Sequence, residues 1–189
     1  ALAGRSPLLS PELLLVLAEY LRFGNDAARA LGGDYSLLAQ TVSFSIPPSL
    51  LLNRIENAIS SRGEVKDPAH PDLASVRKGQ ERARNQVQEH LTRLLEKSKS
   101  KLRAGESFIT QRNDRYVIPV RVESQKEVPG LVHGTSSSGA TLFIEPLSAV
   151  DLNNQYIFYR ERESEIIHQV LSDLTAEAVH QREMIEQVI

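Results

Sequence analysis

The sequence predicts an α+β fold, mainly α, in which short helices and two long helices surround a small antiparallel sheet. Three observations predict it. Apolar residues recur at helical spacing before residue 104 and again after Pro146. Over residues 115–154 the period changes to that of short strands around one Gly/Ser loop. Of 189 residues, 41% are hydrophobic and 24% charged, the makeup of a globular chain with a real core. The pattern divides into an N-terminal helical layer over residues 1–63, a long core helix within 64–104, the sheet over 105–146 and a long outgoing helix over 147–189. The expected arrangement is one structural domain with a projecting arm.

Ser10, Pro11 and Glu12 open the first helix as N-cap, first helical residue and first-turn acid. Leu13, Leu14, Leu17, Tyr20 and Leu21 keep helical spacing, and Gly24 is the expected stop. Short helices follow over 25–31 and 35–44. Pro47 and Pro48 break the chain, and Ser49 caps a fourth helix with Leu52, Ile55 and Ile59 as its buried stripe and Gly63 after its end. Residues 64–71 form a connector with two prolines. The long helix over 72–103 carries a narrow seam of Leu73, Val76, Ala83, Val87, Leu91 and Leu94, near the period of paired helices. Lys97, Lys99, Lys101 and Arg103 close it. Lys97 shares a face with Lys101, and Lys99 with Arg103. They suit a helix C-terminus or a phosphate-contacting patch, and both readings stay open.

Gly105 ends that helix, and residues 107–111 read as a strand. Asn113 and Asp114 form a two-residue turn, since both tolerate positive φ. The return strand over 115–123 sets Tyr116, Ile118, Val120 and Val122 on one face and Arg115, Val117, Pro119 and Arg121 on the other. Pro119 cannot donate to a ladder, so the strand is expected at an edge or with a bulge. Strands over 128–133 and 140–145 are joined by the loop 134–139. From Pro146 the last helix runs to the end. Ile157, Ser164, Leu171, Ala178 and Ile185 recur every seven residues, with Ile167, Leu174 and Val188 offset. About 40 helical residues reach roughly 60 Å, against a radius of gyration near ~16 Å. The helix is therefore expected to project, or to pair with the first long helix and continue past it. Asn153 and Asn154 interrupt the seam, either fixing the register of a helix pair or lying exposed.

Composition excludes several functions. Net charge is −2, so no global basic field announces nucleic acid. With no cysteine there is no disulfide, thiolate catalysis or Cys-based zinc site, which suits the expected cytoplasmic location. No apolar run approaches the ~20 residues of a membrane span, so no membrane partner is expected. No signal peptide is evident, and the chain reads as a piece of a longer protein. The loop from Gly134 through Gly139 to Thr141 has the glycine spacing of a P-loop, but Ala140 stands where lysine is needed and a strand follows. Gly134, Ser136 and Ser138 lack the last glycine of a nucleophile elbow. His133, Ser136 and Asp151 suggest a triad, but nothing fixes the third group, and His133 reads as a hydrogen-bonded sheet residue. The loop residues His133, Gly134, Ser136, Ser138 and Gly139 are therefore read as structural, with a backbone-and-hydroxyl phosphate contact as the alternative. His70, His90, His168 and His180 do not cluster with acids, so no metal site is expected.

Four stretches carry a family resemblance: RYVIPVR over 115–121, VPGLVH over 128–133, SGATLFIEP over 138–146 and LNN over 152–154. Together they resemble the second bacterial MutS family, the paralogues that restrain recombination and, in some bacteria, act on stalled ribosomes. The resemblance covers most of the chain, and the 138–146 run is the most specific. Gly134 departs from it, since many relatives carry an acid after the histidine. The resemblance implies that this chain is the core and lever region of a dimeric protein whose ATPase domain, using ATP and magnesium, and small nuclease domain both lie outside it. No cofactor is implied here. The expected function is non-catalytic: coupling the ATPase domain to a clamp on branched DNA. The alternatives are a ribosome-binding module and a purely structural coiled-coil dimerisation scaffold. Local basic density nominates Lys97, Lys99, Lys101, Arg103, Arg112 and Arg115 for nucleic-acid contact.

Overall fold

The computed structural model describes residues 8–31, 49–98 and 108–181. Among these the fold is mainly helical with a four-stranded antiparallel sheet, as the sequence predicts. The helices are α1 (Pro11–Leu31), α2 (Ser49–Ala58), α3 (Leu73–Ser98) and α4 (Val150–His180). The strands are β1 (Thr110–Arg112), β2 (Arg115–Arg121), β3 (Gly130–Thr135) and β4 (Thr141–Pro146). The chain divides into two compact units, Ala1–Ala74 with Ser164–Ile189, and Ser75–Glu163.

In the first unit, Ser10 caps α1, its hydroxyl accepting the Leu13 amide at 3.4 Å. The bond between Ser10 and Glu12 holds the Glu12 carboxyl below its ordinary range. α1 does not stop at Gly24, and the two helices expected on either side of it are one. Gly24 is buried in line with Leu14, Ala18 and Leu21. Packing on that face outweighs the roughly 1 kcal/mol that glycine costs inside a helix. The helix expected over 35–44 lies outside the described residues. α2 buries Leu51, Leu52, Ile55 and Ala58. The chain then turns through Gly63, at φ +79°, so that Ile59 bridges Val65. Ile166, Val170, Leu171, Leu174 and Ala178 of α4 are buried, whereas Ser164 is exposed and Ile167 only half-buried. The buried line therefore passes through Ile166 and not Ile167, and the heptad spacing by itself does not account for that choice. Ile185 and Val188 lie outside the described residues.

In the second unit, α3 buries Val76, Ala83, Val87, Leu91 and Leu95, with Leu94 half-buried beside them. The gap in the seam between Val76 and Ala83 is filled from outside. A Cβ on Gly79 would lie 2.4 Å from the Tyr159 ring of α4. Only glycine lets that ring approach the helix.

The sheet order is β1-β2-β4-β3. Asn113 and Asp114 turn with φ of 49° and 65°, as their residue types require. β1 is shorter and later than the expected 107–111. β2 buries Tyr116 through Val120, so residues of both faces are covered. It ends at Arg121, so Val122, 43% exposed, begins a 3-10 turn rather than joining the buried face. β1 reaches only to Val117, so beyond it Pro119 has β4 on one side and no described strand on the other. β2 is therefore internal at its start and an edge at its proline. β3 and β4 begin one or two residues later than expected, and Pro146 ends β4 rather than starting α4, which opens at Val150. Gly130 is enforced by contact: a Cβ there would sit 2.3 Å from the Glu145 carbonyl oxygen. One core gathers Val87, Leu91 and Leu95 of α3 with Tyr116, Ile118, Val120 and Ile144 of the sheet.

Burial, and next the neighbouring Tyr156 whose ring lies 5.2 Å away edge-on, push the Tyr116 phenol from 10.0 up to about 12. Above pH 10 the unfolded chain loses this proton while the folded chain keeps it, so the folded state loses stability as pH climbs from about 10 toward about 12. The stability gap between wild type and Tyr116→Phe, followed by denaturant titration from pH 8 upward, is expected to stay constant to about pH 10 and then shift in favour of the variant. A gap that does not change with pH contradicts the burial of this hydroxyl.

Candidate functional site

Glu145 on β4 is fully buried, with no exposed surface. A carboxylate taken out of water costs several kcal/mol unless charge and hydrogen bonds replace its hydration. Three elements supply them. Arg115 at the start of β2 donates Nη1 to Oε1 at 2.7 Å. Asn153, in the first turns of α4, donates Nδ2 to the same oxygen at 2.9 Å. His133 on β3 meets Oε2 through Nε2 at 2.7 Å. Local geometry brings the imidazole there. β3 pairs Val132 with Ile144 and Gly134 with Phe143, leaving His133 as the extra residue of a bulge. Gly134 closes the bulge at φ +155°, a conformation side-chain-bearing residues rarely adopt.

Asn153 does more than meet the carboxylate. Its Oδ1 accepts the Tyr116 amide at 2.9 Å and its Nδ2 donates to the Tyr116 carbonyl at 3.0 Å. The side chain thus pairs with β2 as a neighbouring strand would. It clasps a helix to a strand, and is not the register residue of a helix pair. Asn154 accepts Arg115 Nη2 through Oδ1 at 2.8 Å, completing the clasp. At the hairpin tip, Asp114 pairs with Arg160 of α4, a carboxylate bond that raises the Arg160 guanidinium above its ordinary range.

The Gly/Ser loop satisfies itself. Ser136 Oγ accepts the Thr141 amide at 3.1 Å and lies 3.2 Å from Ser138 Oγ. The Gly139 amide bonds the Ser136 carbonyl at 2.9 Å, with Gly139 at φ +75°. His133 is turned to Glu145 and Ser136 to its own loop, so the two do not form a base and nucleophile pair. Among the described residues no group of three or more His, Asp or Glu is placed to hold a metal ion, and no helix is long and apolar enough to cross a membrane.

The nominated basic residues separate into three groups. Lys97 is exposed at the end of α3. Arg112 is exposed on β1, its guanidinium 4.4 Å from the Phe143 ring centre. Arg115 faces Arg112 across the hairpin, but its head is committed to Glu145 and Asn154. Lys99, Lys101 and Arg103 lie outside the described residues. Sequence reasoning missed Glu145. The available signal was an acid inside the apolar run LFIEP, on a strand flanked by others.

No family model matches the chain. Individual proteins do. Endonuclease MutS2 of Pelotomaculum thermopropionicum is 37% identical over 177 residues, 92% of this chain. Endonuclease MutS2 of Ruminiclostridium cellulolyticum is 36% identical over 90% of it. The chain is a member of the MutS2 family over that shared segment. It spans 22% of the length of each of these two relatives. Endonuclease MutS2 of Thermus thermophilus is 39% identical over 66% of this chain and 16% of its own length.

The two hairpin arginines of this MutS2-type segment separate structure from surface. Arg115→Ala leaves Glu145 buried with one cation fewer and is expected to cost about 3 kcal/mol or more in denaturant unfolding. Arg112→Ala is expected to stay within about 1 kcal/mol, the scale of an exposed cation–π contact. Equal costs would contradict the network.

Proposed function

We propose that this segment is the non-catalytic core and lever of a MutS2-type protein that binds branched DNA and restrains recombination. In this reading it carries the state of an ATPase domain, with its ATP and magnesium, to a clamp within a dimer. The observation that carries the reading is similarity to proteins named Endonuclease MutS2 over nine tenths of this chain. Two features support it. α4 is one uninterrupted helix of 31 residues, and Asn153 and Arg115 tie its first turns to the sheet. A helix fixed at its root can transmit a rotation. The exposed cations Lys97 and Arg112 supply phosphate contacts, and Lys99, Lys101 and Arg103 extend the basic stretch in sequence. Arg115 serves here as the root of the lever and not as a phosphate contact.

In the longer protein, Lys97→Glu with Lys101→Glu and Arg112→Glu is expected to weaken binding to a four-way DNA junction. The salt dependence should fall by about 0.9 in log–log slope for each phosphate that is no longer neutralised. Unchanged affinity and slope would remove the patch from the interface. Loss of co-purifying ribosomes with junction binding intact would favour the ribosome instead.

A further inference from the structure

β3 is an open edge of the sheet. The order β1-β2-β4-β3 gives it β4 as a neighbour, and among the described residues no strand lies on its other side. An antiparallel ladder turns the backbone of alternate residues toward the neighbour. The Leu147 amide bonds the Pro129 carbonyl at 3.0 Å, and Leu131 stands opposite Glu145 in the same register. Leu131 therefore bonds across to β4, whereas Gly130 and Val132 turn their N–H and C=O groups outward. Pro146 stands opposite Gly130 and agrees, since it has no N–H to give. The two outward residues flank Leu131, before the bulge at His133 interrupts the regular ladder.

The two edges of the sheet differ. The far edge is blunted: β1 has only 3 residues, sets Arg112 against Arg115, and leaves β2 at its proline. β3 has 6 residues, GLVHGT, with no Asp, Glu, Lys, Arg or Pro, and its histidine is engaged by Glu145. Leu131 and Val132 are 51% and 47% exposed, and Leu147, bonded at the start of the strand, is 60% exposed. Unpaired backbone groups beside apolar side chains are a template for one more strand. The neutrality of β3 describes that strand. A charged one finds no opposite charge along it. A second copy brings the same uncharged strand. Run antiparallel about a two-fold axis at Leu131, it sets Gly130 of each copy opposite Val132 of the other, so outward N–H groups meet outward C=O groups. The nearest charged residues, Lys126 and Glu127, precede the strand. The two-fold carries them to opposite ends of the joined sheet, whereas parallel pairing would set each beside its like.

We propose that two copies of this chain pair through β3, antiparallel and centred on Leu131, into one continuous sheet. The inference rests on the sheet edge and not on the nucleic-acid reading, so either can fail alone.

The chain has no cysteine, so a single introduced thiol reports the pairing. In the proposed register Leu131 faces its own counterpart in a non-hydrogen-bonded pair, with Cα atoms about 4.5 Å apart, within reach of a disulfide. Leu131→Cys treated with diamide is expected to give a disulfide-linked dimer. Thr135→Cys, exposed on the same strand but displaced from the axis, is expected not to. In sedimentation equilibrium, Leu131→Lys and Leu131→Glu should each weaken the dimer by about tenfold or more, because like charges then face each other in place of two leucines. An equal mixture of the two variants should restore the dimer, because the facing charges are then opposite. Far-UV circular dichroism and the denaturant midpoint check that each variant folds. A monomer at every concentration, cross-linking at Thr135→Cys equal to that at Leu131→Cys, or a dimer indifferent to charge at Leu131 would overturn the proposal. So would a mixture that associates no better than either variant alone.

Discussion

The carboxylate of Glu145 is the constraint on which the second unit depends. It is completely buried, and its three partners come from β2, β3 and α4. Each partner in turn sets a feature of the backbone. His133 reaches it from a bulge that needs Gly134, and Gly130 is required because β3 passes so close to the Glu145 carbonyl. Asn153 reaches it while bonding both backbone groups of Tyr116. Removing the carboxylate would leave an arginine, a histidine and an amide aimed at an empty point.

Such networks are weak evidence for stability, since a well-packed apolar core can do as well or better. Geometry is their stronger contribution. An apolar contact tolerates a helix sliding by a turn, but Asn153 meets the Tyr116 N–H and C=O at one position only. The network therefore fixes where α4 leaves the sheet. A lever needs that definition more than it needs added stability, which is why this arrangement favours the mechanical reading of the segment.

Much of this was legible in the sequence, and the failures have physical causes. The turn at Asn113 and Asp114 was readable because few other residues accept positive φ twice in succession. The α3 seam was readable because Val76, Ala83, Val87 and Leu91 keep one period throughout. Gly24 misled, because propensity marks it as a stop while its burial beside Leu21 depends on tertiary packing. In α4 the heptad spacing points to Ile167 where Ile166 is the buried residue, because spacing along one helix does not show which neighbouring position its tertiary partners cover. Glu145 and Asn153 were hidden for a different reason. Sequence shows a polar residue in an apolar run, but it does not show the partner 30 or 37 positions away that makes burial tolerable. The same blindness hides that Arg115, nominated for nucleic-acid contact, also bonds Glu145 and Asn154, since a committed and a free arginine look alike in sequence.

The most direct test of this account is native-state hydrogen exchange in Glu145→Ala, compared with wild type under conditions where both are folded. If Glu145 holds the strands and the root of α4 together, protection should fall jointly at the Tyr116 amide, in β3 around Val132 and in the first turns of α4. A loss confined to β4, with Tyr116 and α4 as protected as in wild type, would contradict it.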